Sequence, residues 1–303
     1  MNMILTGLGN VALVLLLAPL FEGILRKVTA IIQSRQGPPV RQPYFDLLKL
    51  LGKEDLESGE SPFMQRFAAY LAFATILTVA WLVPMGFAAP LNNAGDATVL
   101  IYLLALCSLS TLLTGMAAGS TYSLMGISRE MMSVVTLEPL LVVAIVVSAI
   151  QQHSLRLDAV LRSLIYLPGQ FCWSGLIMLG VLLFSFQAFV QRVPFDTAEA
   201  ETELMDGPVM EYSGPKLALF KYARMAKLVI YSGLFVALFI PWGQSWMFPL
   251  NLLFFWAKVF LLVLAVTAVA ATHARLRIDQ AIRYYAGFMG VAFMALVLAV
   301  CGY

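Results

Sequence analysis

Apolar residues run along this chain in blocks of about twenty, broken by short polar or proline-containing stretches. A helix rises 1.5 Å per residue, so about 20 apolar residues cross a hydrocarbon core of about 30 Å. On that measure eight membrane spans are predicted, at roughly 4–24, 67–90, 97–118, 131–150, 168–190, 225–243, 250–271 and 284–301. Pro62, Pro90, Pro168, Pro241 and Pro249 fall at or near their ends, where helices start or stop. The first block begins almost at Met1 with no basic residues ahead of it and leads into a positive segment. It reads as the first span rather than a cleaved signal.

Two stretches break the pattern. In the first connection, Gly37-Pro38-Pro39 forces an extended turn. Tyr44, Leu47, Leu48 and Leu51 then recur at helical spacing, with Asp46 and Lys49 on another face. This predicts a short amphipathic helix, lying on the membrane surface or beneath a partner. The second break is RVPFDTAEAETELMDGPVMEYSG, Arg192 to Gly214, between charge-free runs at 163–191 and 228–257. Pro194 stops the preceding helix, Asp196 and Glu199 have capping-box spacing, and Gly207-Pro208 ends the run. A helix over Thr197–Met205 would stack Glu199 above Glu203.

Composition turns the pattern into a class. Hydrophobic residues make up 61% of the 303 positions and charged residues 12%, against roughly 25% charged in soluble domains. Mean hydropathy is +0.86. The chain reads as an all-α, polytopic membrane protein forming one transmembrane domain over 1–303, with polar loops at about 25–66 and 191–224. A net charge of +2 from scattered residues gives no surface for nucleic acid.

Charge placement orients it. Sixteen of the 19 basic residues lie in the odd-numbered connections, including Arg26, Lys27, Arg35, Lys49, Arg129, Arg192, Lys216, Lys227 and Arg275. Arg156 and Arg162 lie on the other side, and Lys258 within span 7. The positive-inside rule makes the odd connections cytoplasmic and puts both termini outside.

Candidate chemistry centres on carboxylates. Of 17 acidic residues, Asp196, Glu199, Glu201, Glu203, Asp206 and Glu211 crowd into the 23 positions from Arg192 to Gly214. One reading is a solvated loop balanced by arginines such as Arg192. The other follows from the interleaved Val193, Phe195, Ala198, Ala200 and Leu204: partly buried carboxylates couple their proton affinities, as a proton relay requires. Glu138 and Lys258 lie inside predicted spans, and Glu130 near the inner end of span 4. Ionisable groups at such depth point to an ion path, although the Lys258 ammonium could also snorkel. Glu22 sits one helical turn before Arg26, a local pairing distance. Three dispersed cysteines and two histidines give no iron–sulfur, zinc or haem spacing.

RVPFDTAEAETELMDGPVMEYSG closely resembles the cytoplasmic loop most characteristic of the membrane subunit shared by respiratory complex I and energy-converting NiFe hydrogenases. SRQGPP followed by DLLKLLGKED resembles that family's first loop. Several features are more similar to the hydrogenase branch, such as formate hydrogenlyase. Only 14 residues separate Gly37-Pro38 from Lys53-Glu54-Asp55, Asp206-Gly207-Pro208 closes the acidic stretch, and SREMMSVVTLEP carries both Glu130 and Glu138. Complex I members carry a glutamate just before the basic pair after span 1; here that position is Leu25. That departure weighs against a working quinone site.

The resemblance implies a multi-pass inner-membrane subunit with no catalytic centre of its own. It would couple electron transfer and hydrogen evolution in a peripheral arm to proton or sodium movement. The NiFe centre and iron–sulfur clusters would belong to hydrogenase large, small and iron–sulfur subunits on the cytoplasmic side. An antiporter-like subunit and lipid would flank the chain in the membrane. The carboxylates from Asp196 to Glu211, with Glu130, Glu138 and Lys258, are the candidate ion path. Arg35, Gly37, Pro38, Asp46, Lys49 and Arg192 are the candidates for docking the arm. A complex I quinone-site subunit is the alternative within the family, and a free-standing transporter the alternative outside it.

Overall fold

The computed structural model describes residues 3–56, 61–87, 89–90, 95–161, 166–167, 170–198, 201–205, 207–242 and 249–302. Eight apolar helices form the bundle they describe: α1 (Met3–Ile32), α3 (Pro62–Leu82), α4 (Ala97–Ala118), α5 (Thr121–Gln151), α7 (Trp173–Phe189), α9 (Gly214–Phe239), α10 (Leu250–Thr272) and α11 (Ile278–Val300). Seven of these are long and apolar enough to cross a membrane, and α7, at 17 residues, is shorter. Three short helices complete the count: α2 (Gln42–Leu51), α6 (Leu157–Val160) and α8 (Glu201–Leu204). One departure from an all-helical chain is a two-residue antiparallel ladder, β1 (Tyr166–Leu167) with β2 (Gln170–Phe171). Its second strand falls within the first residues of predicted span 5, and α7 starts only at Trp173.

The helices differ from their predicted lengths for local reasons. Pro215 occupies the first turn of α9, where a missing N–H costs nothing. The helix therefore begins eleven residues earlier than hydropathy indicated, and Lys216, Lys221, Arg224 and Lys227 are helical rather than loop residues. Ser120 caps α5 by accepting from the Ser123 N–H at 3.2 Å, so that helix also starts early and includes Arg129 and Glu130. α3 stops at Leu82 because Val83, ahead of Pro84, is extended.

Three of the long helices end on a left-handed residue that is not glycine. Ser34, His153 and Gln191 have φ of 56°, 48° and 54°. After each, the next N–H returns five residues: Arg35 to Ala30, Ser154 to Ala149 and Arg192 to Gln187. These Schellman-type closures satisfy carbonyls that a helix end would otherwise leave open.

α9 is the axis of the structure. Every residue from Met225 to Phe239 is buried, and the helix packs against α1, α2, α3 and α10. Small residues permit the close approach: a β-carbon at Gly233 would lie 2.6 Å from the Met85 sulfur. α5, α7 and α11 form a second group, joined to the first through α4 and α5. One end of the bundle gathers the C-terminal ends of α1, α4, α7 and α10 with most of the basic residues. The opposite end is tied by Asn10, which bonds both backbone groups of Phe87 at 3.2 and 3.1 Å, and by the Asp96–Arg156 bridge. α1 begins and α11 ends at that opposite end.

Gly126 packs closely against the acidic stretch. A β-carbon there would lie 2.9 Å from Pro208 Cδ and 3.2 Å from the Gly207 backbone. Gly126→Ala is expected to destabilise the purified protein by about 1–3 kcal/mol through overpacking. Gly180→Ala in α7, where nothing lies within 4 Å, is expected to be neutral or stabilising by up to about 1 kcal/mol. Thermal melting of the two variants checks the pair.

Candidate functional site

The stretch after α7 is fixed by backbone contacts first. Gln187 donates to the Val193 carbonyl at 2.6 Å and the Val266 carbonyl at 3.1 Å. Leu276 N–H donates to the Pro194 carbonyl at 3.0 Å. Phe195 is buried with its ring centroid 5.1 Å from that of Tyr284 and 5.4 Å from that of Tyr285. Thr197 and Ala198 are also buried. That anchoring holds 195–198 out of helix, and among the described residues of the predicted Thr197–Met205 helix the four of α8 are helical. Asp196 does not cap it; its carboxylate lies 3.4 Å from Arg275.

Glu203 pairs with Arg129 of α5 at 2.6 Å, and Arg129 also reaches the Thr197 carbonyl at 3.4 Å. Left-handed Met205 and Gly207 end the helix. A 3₁₀ turn, Gly207–Val209, then lies against α4 and α5. Tyr212 donates to the Thr114 carbonyl at 2.8 Å. Burial, and then the neighbouring Glu211 carboxylate, push its phenol above the usual range. The phenol therefore remains a donor. Glu199, Asp206 and the side chain of Glu201 lie outside the described residues.

Beneath this loop is a cavity of about 90 Å³, walled by α4, α5, α9 and the 3₁₀ turn. Its polar lining is Ser110, Thr111, Thr114, Glu130, Gln191 and three cations of α9, Lys221, Arg224 and Lys227. The cations recur every third residue and so share one helical face. A smaller cavity of about 30 Å³ continues towards Ser108, Ser133 and Glu138, and Glu130, Gln191 and Lys227 line both. Glu130 is buried and accepts a hydrogen bond from Gln191. The buried Lys227 holds its ammonium 5.6 Å from the centre of the Tyr231 ring, within cation–π range. One Glu138 carboxylate oxygen is buried without a hydrogen-bond partner. The smaller space has room for about one or two waters, so proton-exchanging groups sit along a strip that water can complete.

A third grouping surrounds Glu22, which is 4% exposed. Its carboxylate takes Arg26 Nε at 3.3 Å and the guanidinium of Arg192, and the charge of Arg224 also acts on it. Arg26 extends to Asp46 of α2 at 3.1 Å, and Gln42 holds the other Asp46 oxygen at 3.1 Å. The predicted local pair of Glu22 with Arg26 is present, but it is half of a larger network.

The docking candidates divide. Arg35, Gly37 and Lys49 are exposed, while Pro38 is half-buried. Gly37 has φ +66°, and a β-carbon there would lie 2.5 Å from that of Ala30. Asp46 and Arg192 instead turn inward to the Glu22 network. Lys258 stands apart from the carboxylates: its ammonium donates to the Ile240 carbonyl at 2.8 Å and to that of Trp242, at the far end of α9. Glu22, Gln191 and the α9 cations were missed as site residues. The readable signal was Ser213-Gly214-Pro215, a helix start that places Lys221, Arg224 and Lys227 on one face.

Comparison with known proteins gives this arrangement a setting. Formate hydrogenlyase subunit 4 of Escherichia coli is 34% identical over 289 residues, covering 92% of this chain and 93% of that protein. Hydrogenase-4 component C of the same organism is also 34% identical, over 80% of this chain and 77% of that one. An NADH-quinone oxidoreductase subunit of Anaplasma phagocytophilum is 31% identical, over 85% and 84%. Among solved structures, a chain of the membrane-bound sulfane sulfur reductase, an archaeal respiratory membrane complex, superposes with a TM-score of 0.87. That match covers 99% of this chain and 100% of the other at 24% identity, and so shows a shared fold. The sequence profile of the NADH dehydrogenase family matches residues 6–300. The protein is thus a membrane subunit of the oxidoreductase-complex type, and the chain belongs to the NADH dehydrogenase family.

Proposed function

We propose that this chain is the membrane-anchoring and coupling subunit of an energy-converting hydrogenase complex. Its basic end would face the cytoplasm, and both termini the outside. Hydrogenase large, small and iron–sulfur subunits would dock on the basic end and carry the NiFe centre and clusters. An antiporter-like subunit would lie beside it in the membrane. The observation that carries the class is 34% identity to formate hydrogenlyase subunit 4 along nearly the full length of both chains.

The two adjoining cavities supply the chemistry. Glu130, Lys227 and Glu138 line them in succession. Carboxylates and an ammonium sharing one buried space cannot all hold their charges independently, so a proton arriving at one changes the affinity of the next. Glu203 and Asp196 face Arg129 and Arg275 at the rim. There they would tune the field at the mouth. The Lys258 contacts favour a tie across the end of α9 rather than a step in that path.

The NADH-quinone oxidoreductase relative supports a second reading, in which the apolar-walled larger cavity receives a quinone. The three cations and single carboxylate of its lining favour charged traffic instead.

Two measurements test the proposal. Complexes isolated by a tag on this chain are expected to contain nickel and iron–sulfur proteins and to evolve hydrogen; a quinone-reducing assembly without nickel would establish the second reading. In the intact complex, Glu130→Gln is expected to lower ions moved per hydrogen formed by about tenfold or more, in line with loss of a positioned proton-transfer group. A normal ratio in an assembled variant removes Glu130 from the path.

A further inference from the structure

Gln191 and Arg192 are adjacent, yet they serve opposite sides of the bundle. With Gln191 held in the left-handed region, its amide reaches Glu130 on α5 while the Arg192 guanidinium reaches Glu22 on α1. Glu22 shares Arg26 with Asp46 on α2. The contacts run without a gap from Asp46 through Arg26, Glu22, Arg192 and Gln191 to Glu130. They connect the amphipathic surface helix with the carboxylate that lines both cavities.

We propose that Asp46 is a positioning residue for Glu130, and that the seating of α2 on the bundle sets whether Gln191 holds Glu130. This rests on Glu130 belonging to the ion path.

Arg26 is the divided group. With α2 seated, one of its nitrogens serves Asp46 and another serves Glu22, and the buried Glu22 needs Arg192 as well. A buried carboxylate with too few cations is strongly unfavourable, so Arg192 stays and the turn after α7 stays with it. With α2 displaced, Arg26 turns wholly to Glu22, the hold on Arg192 slackens, and Gln191 leaves Glu130 with it. The element has two arrangements of the same groups, which is what coupling between separated sites requires.

The partner that would exploit this is a water-soluble subunit with an acidic contact surface. Arg41, Lys49 and Lys53 are all exposed on or beside α2, and Glu54 and Asp55 follow only after them.

The test is hydrogen exchange in the intact complex. The reporters are the amides of Arg192, bonded to Gln187 at 3.2 Å, of Phe195, bonded to Arg192 at 2.9 Å, and of Leu276, bonded to Pro194 at 3.0 Å. Asp46→Asn is expected to speed exchange at these amides by about tenfold, with Asp46→Glu returning them to the parent rate. Asp46→Ala, which likewise frees Arg26 to serve Glu22 alone, is expected to act like Asp46→Asn and serves if that variant does not assemble. Arg156→Gln, exposed at the opposite end of the bundle, is expected to change nothing at these amides. Exchange that rises only within 42–51, with the turn after α7 unchanged, overturns the proposal. Because no ion movement is measured, this result is separable from the Glu130→Gln test. A fast-exchanging turn with a normal Glu130→Gln ratio would leave the coupling standing and remove the ion path.

Discussion

A charge inside an apolar bundle is tolerable only when an opposite charge or enough hydrogen bonds accompany it. Glu22 is the clearest instance, and much of the basic end follows from it. One cation comes from the next turn of its own helix, a second from the turn after α7, and the field of a third from α9. Satisfying that one carboxylate therefore fixes how α1, α2, α9 and the α7 exit lie together. The same constraint explains α9, a helix buried on all sides in its C-terminal half whose N-terminal half carries cations into a polar cavity. Those cations could not face lipid, so the helix that bears them lies inside.

The apolar blocks showed where the helices are, and the distribution of lysine and arginine showed which helix ends lie together. The amphipathic helix was legible to within two residues at its start. Long-range pairing was not. Arg192 is 170 residues from Glu22, and nothing local to either position marks the other. Hydropathy also misplaced the start of α9, because Lys216 to Lys227 lower the average as loop residues would, although Lys216 and Lys227 are buried. The acidic helix was over-extended for the opposite reason: residues 197–198 are held out of helix by the burial of Phe195, Thr197 and Ala198. The left-handed ends at Ser34, His153 and Gln191 lacked the glycine that would have announced them.

The relatives share the scaffold across several kinds of electron-transfer complex, as their names show: a hydrogenlyase, a hydrogenase, NADH-quinone oxidoreductases and a sulfane sulfur reductase. A fold spread so widely fixes a framework rather than a substrate. What this chain places on that framework can be read from the charge set at its basic end and along the cavities. In this chain that set includes Leu25 where a carboxylate would be expected, with Glu22 one turn earlier taking two arginines. The negative charge is retained close by but turned towards the turn after α7.

The brevity of α7 reaches beyond the protein. Seventeen helical residues cover about 25 Å, several ångströms less than a typical hydrocarbon core. Its neighbours α5 and α11, at 31 and 23 residues, are longer. A helix this short is accommodated by thinning of the bordering lipid, by snorkelling of flanking residues or by association with a neighbour, at a cost of a fraction of a kcal/mol per ångström. Bilayer thickness thereby becomes a variable acting on the helix whose C-terminal turn presents Gln191 and Arg192.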